Sequence, residues 1–178
     1  MDLYQGLLTR RSVRQFDTSK KVSKQDIEEI LKAACYAPSA HNKQPWEFLV
    51  LEDLSIMDKV REFQPWTSFA KNASCVIIVC GNTDVAFHSR ENEPYWNISD
   101  VDCSLATQNL LLACHSKGLG ACFCGAAPIV SIVDGLRKLF NLPENIRPIA
   151  IVPIGYPLET PKQPENRYQT SKVHWGKW

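Results

Sequence analysis

The chain has 178 residues, of which 44% are hydrophobic, and we therefore expect a single domain over residues 1–178 with one buried core. Its 20 basic and 19 acidic residues leave a formal net charge of +1. This balance gives no overall electrostatic footprint for nucleic acid or for an anionic membrane surface. Any anion-binding site must therefore be local.

The cysteines and the N-terminal sequence bear on the compartment. Seven cysteines, an odd number, lie mostly within apolar runs, which favours reduced thiols over a disulfide framework. The first residues do not combine a basic stretch with a long apolar run, and nowhere do about 18 uncharged apolar residues stand together. We expect a cytoplasmic protein that is neither secreted nor membrane-spanning.

The N-terminal residues predict a short helix with Leu3, Leu7 and Leu8 on one face. A basic cluster follows directly, and it consists of Arg10, Arg11, Ser12, Val13 and Arg14. Its guanidiniums could hold one tetrahedral dianion through planar donor forks, at about 1.5–3 kcal/mol per charge-assisted bond. A solvated basic turn explains the same residues, because the helix macrodipole favours positive charge at a helix C-terminus. The cluster alone leaves both interpretations open.

A second helix is predicted after Ser23, which resembles an N-cap with Asp26 three positions on. Its buried face carries Ile27, Ile30, Leu31 and Ala34, and it ends near Pro38. Residues 39–45 are polar and turn-rich, and alternating apolar residues then predict a strand from Trp46. A short helix is expected around residues 57–63, with a break at Pro65.

The middle of the chain predicts the core. Residues 75–80 form a continuous β-branched run, which is typical of a strand covered on both faces. From Ser99, read as an N-cap, an apolar helix extends to a C-capping Gly118. Further strands are expected over residues 119–123 and 148–154, and a helix over residues 131–140. The Pro-rich tail predicts an extended segment, and its terminal tryptophans favour packing on a partner over disorder.

Several chemistries lack support in the residues. The histidines and cysteines do not show metal-ligand spacing, so we predict no metal site. A dinucleotide fingerprint, a phosphate-binding P-loop and a nucleophile elbow are absent from the sequence. No catalytic acid, base or nucleophile of the protein is assigned.

Separated segments resemble the nitroreductase family of FMN-dependent enzymes. Residues 10–16 resemble its phosphate-binding opening, and residues 37–46 match its motif A-P-S-x-x-N-x-Q-P-W. Residues 102–122 are similar to its central helix and following turn, residues 151–157 to its closing strand, and residues 173–175 to its tail. The resemblance implies an α+β fold, a mixed and mostly antiparallel sheet flanked by helices, with the C-terminal tails exchanged in a homodimer.

The resemblance also implies a set of FMN-binding residues. The phosphate and ribityl chain would be held by Arg10, Arg11, Ser12 and Arg14, with Arg167 as a further phosphate contact. The partner subunit would contribute Pro38, Ser39, Ala40 and Asn42. The isoalloxazine would lie against Phe123, Cys124 and Gly125, where backbone N–H groups stabilise developing charge. Cys124 departs from the acidic residue of many larger members, and counterparts of their pyrimidine-edge contacts are ambiguous around residues 66–72.

By this resemblance, bound FMN takes hydride at N5 from NADH or NADPH and reduces a nitroaromatic, a quinone or a similar small acceptor by a ping-pong mechanism. Two alternatives stay open: a flavin-binding module for storage or sensing without turnover, and a divergent chemistry such as dehalogenation or flavin fragmentation. Residues 85–97 either form a wall of the substrate pocket or pack on the surface. They include His88, Arg90, Tyr95 and Trp96.

Overall fold

The computed structural model describes residues 2–88, 98–163 and 165–178. Its α-helices are α1 (Leu3–Thr9), α2 (Lys24–Ala34), α3 (Met57–Phe63), α4 (Ile98–Ser116) and α5 (Val130–Phe140). Its strands are β1 (Trp46–Leu51), β2 (Cys75–Asn82), β3 (Gly120–Ala121), β4 (Cys124–Gly125) and β5 (Ile146–Gly155). Short 3-10 helices occur at Ala40–Asn42, Leu54–Ile56, Pro65–Thr67, Ala70–Asn72 and Thr170–Lys172.

The five strands form one antiparallel sheet. β2 lies between β1 and β5, and both β3 and β4 pair with β5. A single parallel bridge joins Ser12 to Ala121 outside the named strands. The expected α+β fold with a mostly antiparallel sheet is confirmed.

The core has two halves because successive side chains of a strand point to opposite faces. On one face of β2, Cys75, Ile77 and Val79 join a cluster that includes buried residues of α2 and α4. On the other face, residues 76, 78 and 80 pack in a cluster with α3 and α5. The sheet therefore lies between two pairs of helices, and the prediction that residues 75–80 are covered on both faces is confirmed.

The long helix α4 begins at Ile98, two residues before the first helical residue expected after an N-cap at Ser99. Ser99, predicted as the N-cap, is inside the helix and buried. A Cβ atom built on Gly81 would lie 3.0 Å from the Ser99 Cβ, so Ser99 packs against β2 instead of capping the helix. Val101 and Leu105 remain exposed on the opposite side of α4.

The strand expected over residues 119–123 is instead two short strands, and Pro153 accounts for the interruption. The Cys122 N–H donates to the Pro153 carbonyl over 3.3 Å. Proline lacks an N–H, so the return hydrogen bond of this antiparallel pair cannot form. The ladder resumes where Cys124 pairs with Ile151.

The C-terminal tail that follows β5 is mostly exposed. The Leu158 N–H donates to the Gln15 carbonyl over 3.0 Å, and beyond this bond most of the described side chains are exposed. Trp175 is 89% exposed. The extended tail predicted from its prolines is confirmed, whereas its exchange between subunits stays a prediction.

Candidate functional site

The basic cluster after α1 is fixed to the sheet by its backbone. Ser12 forms the parallel bridge with Ala121, and the Val13 N–H donates to the Ala121 carbonyl over 3.0 Å. Val13 is buried, whereas Ser12 and Arg14 on either side of it are exposed. This alternation turns the polar side chains of the cluster away from the core.

Four guanidiniums at this site have no carboxylate partner among the ion pairs of the described residues: Arg10, Arg11, Arg14 and Arg167. Partial burial and the positive charges of Arg167 and Arg11 lower the pKa of Arg10. The tail therefore brings Arg167 close to Arg10, which adds to the positive charge there. An anion placed between them would relieve the mutual repulsion.

The segment after β3 borders the same cluster. A hydrogen bond with the Cys124 thiol, the charges of Arg14 and Arg10 and a hydrogen bond with Ser12 lower the pKa of Cys122, although burial opposes them. The same Cys122 contact, together with burial, raises the pKa of Cys124. Cys122 and Cys124 therefore lie near Arg14, and Cys122 also lies near Arg10.

Two cavities flank this arrangement. One has a volume of about 600 Å³, and its lining includes four cations, Arg11, Lys162, Arg167 and Lys172, together with the carboxylate of Glu165. The other, of about 490 Å³, is apolar and is lined by Phe123 together with Val101, Leu105, Ala127, Pro128 and Ile149. Phe123 itself is 40% exposed. Phe123 thus borders the apolar cavity, whereas the charged cavity lies between Arg11 and the C-terminal tail.

The loop with Pro38, Ser39, Ala40 and Asn42 lies elsewhere in the subunit. In the part of the chain that the structure describes, no hydrogen bond or ion pair joins it to the basic cluster. Ser39 Oγ accepts the Gln44 N–H over 3.0 Å, and Asn42 Oδ1 accepts from Gln44 Nε2 over 3.0 Å. The structure of one subunit therefore does not bring this loop together with the other predicted site residues.

The backbone of this loop is strained. His41, Asn42 and Gln44 adopt φ angles of 51°, 54° and 50°, a left-handed conformation that costs non-glycine residues about 1–3 kcal/mol each. Beside it, His41 stacks on Phe87 with ring centroids 4.2 Å apart. Such strain persists only where surrounding contacts impose it, and it is concentrated at functional sites.

Two buried side chains that were not among the predicted site residues contact predicted site segments. Gln64 Nε2 donates to the Gly125 carbonyl over 2.6 Å, and Asp102 Oδ1 accepts the Ala40 N–H over 3.1 Å. Gln64 Oε1 and Asp102 Oδ2 are buried and have no hydrogen-bond partner among the described residues. An unsatisfied buried polar group costs about 1–3 kcal/mol. Asp102 could have been noticed as an acid on the core-facing side of an apolar helix; Gln64 carries no such signal.

The predicted pocket wall is only partly described. Of residues 85–97, the structure describes 85–88, and Arg90, Tyr95 and Trp96 lie outside the described residues. Within the described residues, no group of three His, Cys, Asp or Glu side chains could hold a metal ion. No helix among them is both long and apolar enough to cross a membrane.

Comparison with known proteins places this site in a family. The model of the nitroreductase family matches residues 7–67 and 64–156. A candidate NADH dehydrogenase/NAD(P)H nitroreductase of Methanothermobacter thermautotrophicus is 37% identical over 178 residues, covering 100% of this chain and 88% of the relative. An iodotyrosine deiodinase of Haliscomenobacter hydrossis is 30% identical over 191 residues, covering 92% of this chain and 83% of the relative.

Solved structures agree. A candidate NADH dehydrogenase/NAD(P)H nitroreductase of Bacteroides thetaiotaomicron superposes with a TM-score of 0.87 at 36% identity, covering 99% of this chain and 98% of the other. An FMN-dependent nitroreductase of Clostridium difficile gives a TM-score of 0.83 at 25% identity, covering 97% and 98%. The chain belongs to the nitroreductase family, as its sequence motifs indicated.

Proposed function

From this family membership we propose that the chain is an FMN-dependent NAD(P)H oxidoreductase that works as a homodimer with shared active sites. The observation that carries the proposal is a group of four guanidiniums without a carboxylate partner among the described residues, two of which, Arg10 and Arg14, lie beside Cys122. An FMN phosphate fits this donor set, because charge-assisted bonds to a dianion satisfy several guanidiniums at once. In this proposal Arg10, Arg11, Ser12, Arg14 and Arg167 hold the phosphate end.

The ring end of the cofactor would lie against Phe123, Cys124 and Gly125. The Cys124 side chain is buried, and the Phe123 side chain is half-exposed. The backbone polar groups of this segment therefore lie next to the exposed apolar surface of Phe123. Gly125 has no atom closer than 3.8 Å to a Cβ built on it, which leaves room for a flat ring to approach. Oriented backbone dipoles at this position would stabilise negative charge that develops on the ring.

A second subunit would complete the site. Its loop with Pro38, Ser39, Ala40 and Asn42 would reach the flavin, since the loop lies apart from the basic cluster within one subunit. Exposed apolar side chains support a dimer: Leu3, Tyr4, Leu7 and Leu8 on α1 all lie at the surface. Contiguous apolar surface of this kind marks an interface. The exposed tail with Trp175 would wrap the partner.

Bound FMN would supply the redox chemistry, which is hydride transfer from NADH or NADPH and reduction of a small acceptor such as a nitroaromatic or a quinone. The protein's own residues bind and orient the reactants. The apolar cavity beside Phe123 is suited to a planar aromatic acceptor. No side chain is required to act as an acid or base, and the free cysteines favour a cytoplasmic location.

Anaerobic titration of the purified protein tests this function. We expect the visible flavin absorbance to bleach on addition of NADH or NADPH and to recover on addition of a nitroaromatic or a quinone. A bound flavin that neither nucleotide reduces would contradict the proposal and favour a binding module for storage or sensing.

Reductive dehalogenation is the second candidate, and the similarity to an iodotyrosine deiodinase over 92% of this chain favours it. It shares the FMN site and differs in the acceptor. Iodide release from iodotyrosine by the chemically reduced protein would support it, and recovery of absorbance with nitroaromatics alone would exclude it. The same reduced sample serves both measurements.

A further inference from the structure

The two orphaned polar atoms described above belong to residues that hold the two halves of the proposed flavin site. Gln64 is 4% exposed and Asp102 is 3% exposed. Gln64 contacts Gly125, on the segment proposed to face the ring of the same subunit. Asp102 contacts Ala40, on the loop proposed to reach the flavin of the partner.

Gln64 is well placed to act as a fixed anchor. The backbone N–H of Gln64 donates to the Val60 carbonyl over 2.9 Å. The backbone carbonyl of Gln64 accepts from the backbone N–H of Thr67 over 3.1 Å and from its Oγ1 over 2.7 Å. These bonds fix the Gln64 backbone, so the position of its amide is determined by α3 and the turn after it. The 2.6 Å bond to Gly125 then sets the orientation of the peptide that follows Gly125.

Asp102 plays the matching part for the loop. Asp102 projects from the first turns of α4. This helix packs against β2 and α2, so it holds the Asp102 backbone in a fixed position. Its carboxylate holds the Ala40 N–H immediately before the three left-handed residues His41, Asn42 and Gln44. A contact at this point helps to impose the strained loop conformation.

Each residue keeps one buried oxygen that has no hydrogen-bond partner among the described residues. Such an oxygen costs about 1–3 kcal/mol, which offsets the net gain of about 0.5–1.5 kcal/mol from the one hydrogen bond that the side chain makes. A residue that keeps such an atom and also bonds to a site segment is better explained by the geometry it imposes there.

We propose that Gln64 and Asp102 are positioning residues for the shared flavin site: Gln64 for the half in its own subunit, and Asp102 for the half that completes the partner's site. The inference rests on the proposed FMN function. It assigns no contact with the cofactor to either side chain.

Affinity for FMN tests the proposal. Gln64→Met removes the hydrogen bond at a similar volume, and Asp102→Leu removes it while keeping the branched shape of the side chain at a larger volume. We expect FMN to bind about two- to tenfold more weakly, the effect of one buried hydrogen bond. Asp102→Asn retains an acceptor oxygen and should restore the affinity to within about twofold. Thr107→Val is the matched control, since it removes a buried 2.6 Å bond within α4 and should leave the affinity unchanged.

Mixed dimers separate positioning from general damage. In a dimer with Arg14→Glu in one subunit, only the other subunit's site should bind FMN. Asp102→Leu should weaken that site only when it is placed in the Arg14→Glu subunit, which supplies the loop. Gln64→Met should weaken it only when it is placed in the other subunit. Circular dichroism of the apo-proteins verifies folding, and Asp102→Ala replaces the leucine variant if that variant does not fold.

The outcomes are distinct. Unchanged FMN affinity in folded Gln64→Met and Asp102→Leu would overturn the inference while the FMN function stands. Weaker binding that does not depend on which subunit carries the change would also overturn it. Wild-type protein that binds no FMN would instead defeat the proposed function, and the inference would fall with it.

Discussion

Gly120 and Val13 are in such close contact that Gly120 cannot carry a side chain without displacing Val13. A Cβ atom built on Gly120 would lie 2.7 Å from both Cβ and Cγ1 of Val13. Val13 is the buried residue between Ser12 and Arg14. The position of the basic cluster therefore depends on the absence of a side chain one strand away.

Gly120→Ala should shift Val13 and with it the cluster. We expect the free energy of unfolding to fall by about 1–3 kcal/mol, as for an overpacked core, and FMN to bind more weakly. Chemical denaturation and fluorescence titration measure the two effects. Val13→Gly in the same chain removes all three atoms that a Cβ on Gly120 would meet, so the double variant should regain FMN affinity. If the double variant instead loses the sum of the affinities that the two single variants lose, positions 13 and 120 act independently.

Arg14→Ala should weaken FMN binding by about 1.5–3 kcal/mol, the contribution of one charge-assisted contact, which is roughly a ten- to hundredfold rise in Kd. Arg61, an exposed arginine on α3, provides the control, and Arg61→Ala should have no effect. An equal Kd for FMN in both variants would show that the cluster is a solvated basic turn and not a phosphate-binding site.

The bound cofactor should be FMN and not FAD, at one molecule per subunit, because the guanidiniums are grouped to enclose a terminal phosphate. Heat release followed by chromatography identifies the flavin, and absorbance against protein concentration gives the ratio. FAD as the sole species would contradict this assignment.

Arg14→Glu and Ser39→Trp should each inactivate the homodimer, the first by repelling the phosphate and the second by filling the cofactor space. In a mixed dimer one site collects both changes and the other neither. Random pairing after joint refolding should therefore restore roughly a quarter of the wild-type FMN sites. Verified mixed dimers that bind no FMN would show that the two residues do not serve one site across the interface.

Cys35 should be the thiol that reacts rapidly with a chromogenic disulfide in the native protein, since it is exposed and the other six cysteines are buried. Burial raises the pKa of Cys75 and of Cys80 to about 12, which keeps both protonated at neutral pH. Cys122 has a lowered pKa, but it is only 1% exposed. All seven thiols should react after unfolding without reductant; a smaller number would reveal a disulfide.

Local pattern was enough to predict most elements and the family. The alternation of apolar residues located β1, the continuous run located β2, and the spacing of Ile27, Ile30 and Ala34 located the buried face of α2. The ten-residue match at residues 37–46 indicated the family that the comparisons then confirmed. These features depend on near neighbours in the chain, so the sequence alone contains them.

Tertiary structure alone decided which distant residues meet. Pro153 divides the strand expected over residues 119–123 because a cross-strand partner without an N–H breaks the ladder. Arg167 approaches Arg10 because the tail runs back along the basic cluster. Gln64 and Asp102 contact segments 61 and 62 residues away. Hydrophobic periodicity shows which apolar side chains turn inward, but a buried polar side chain is recognised only by the partner that the fold places beside it.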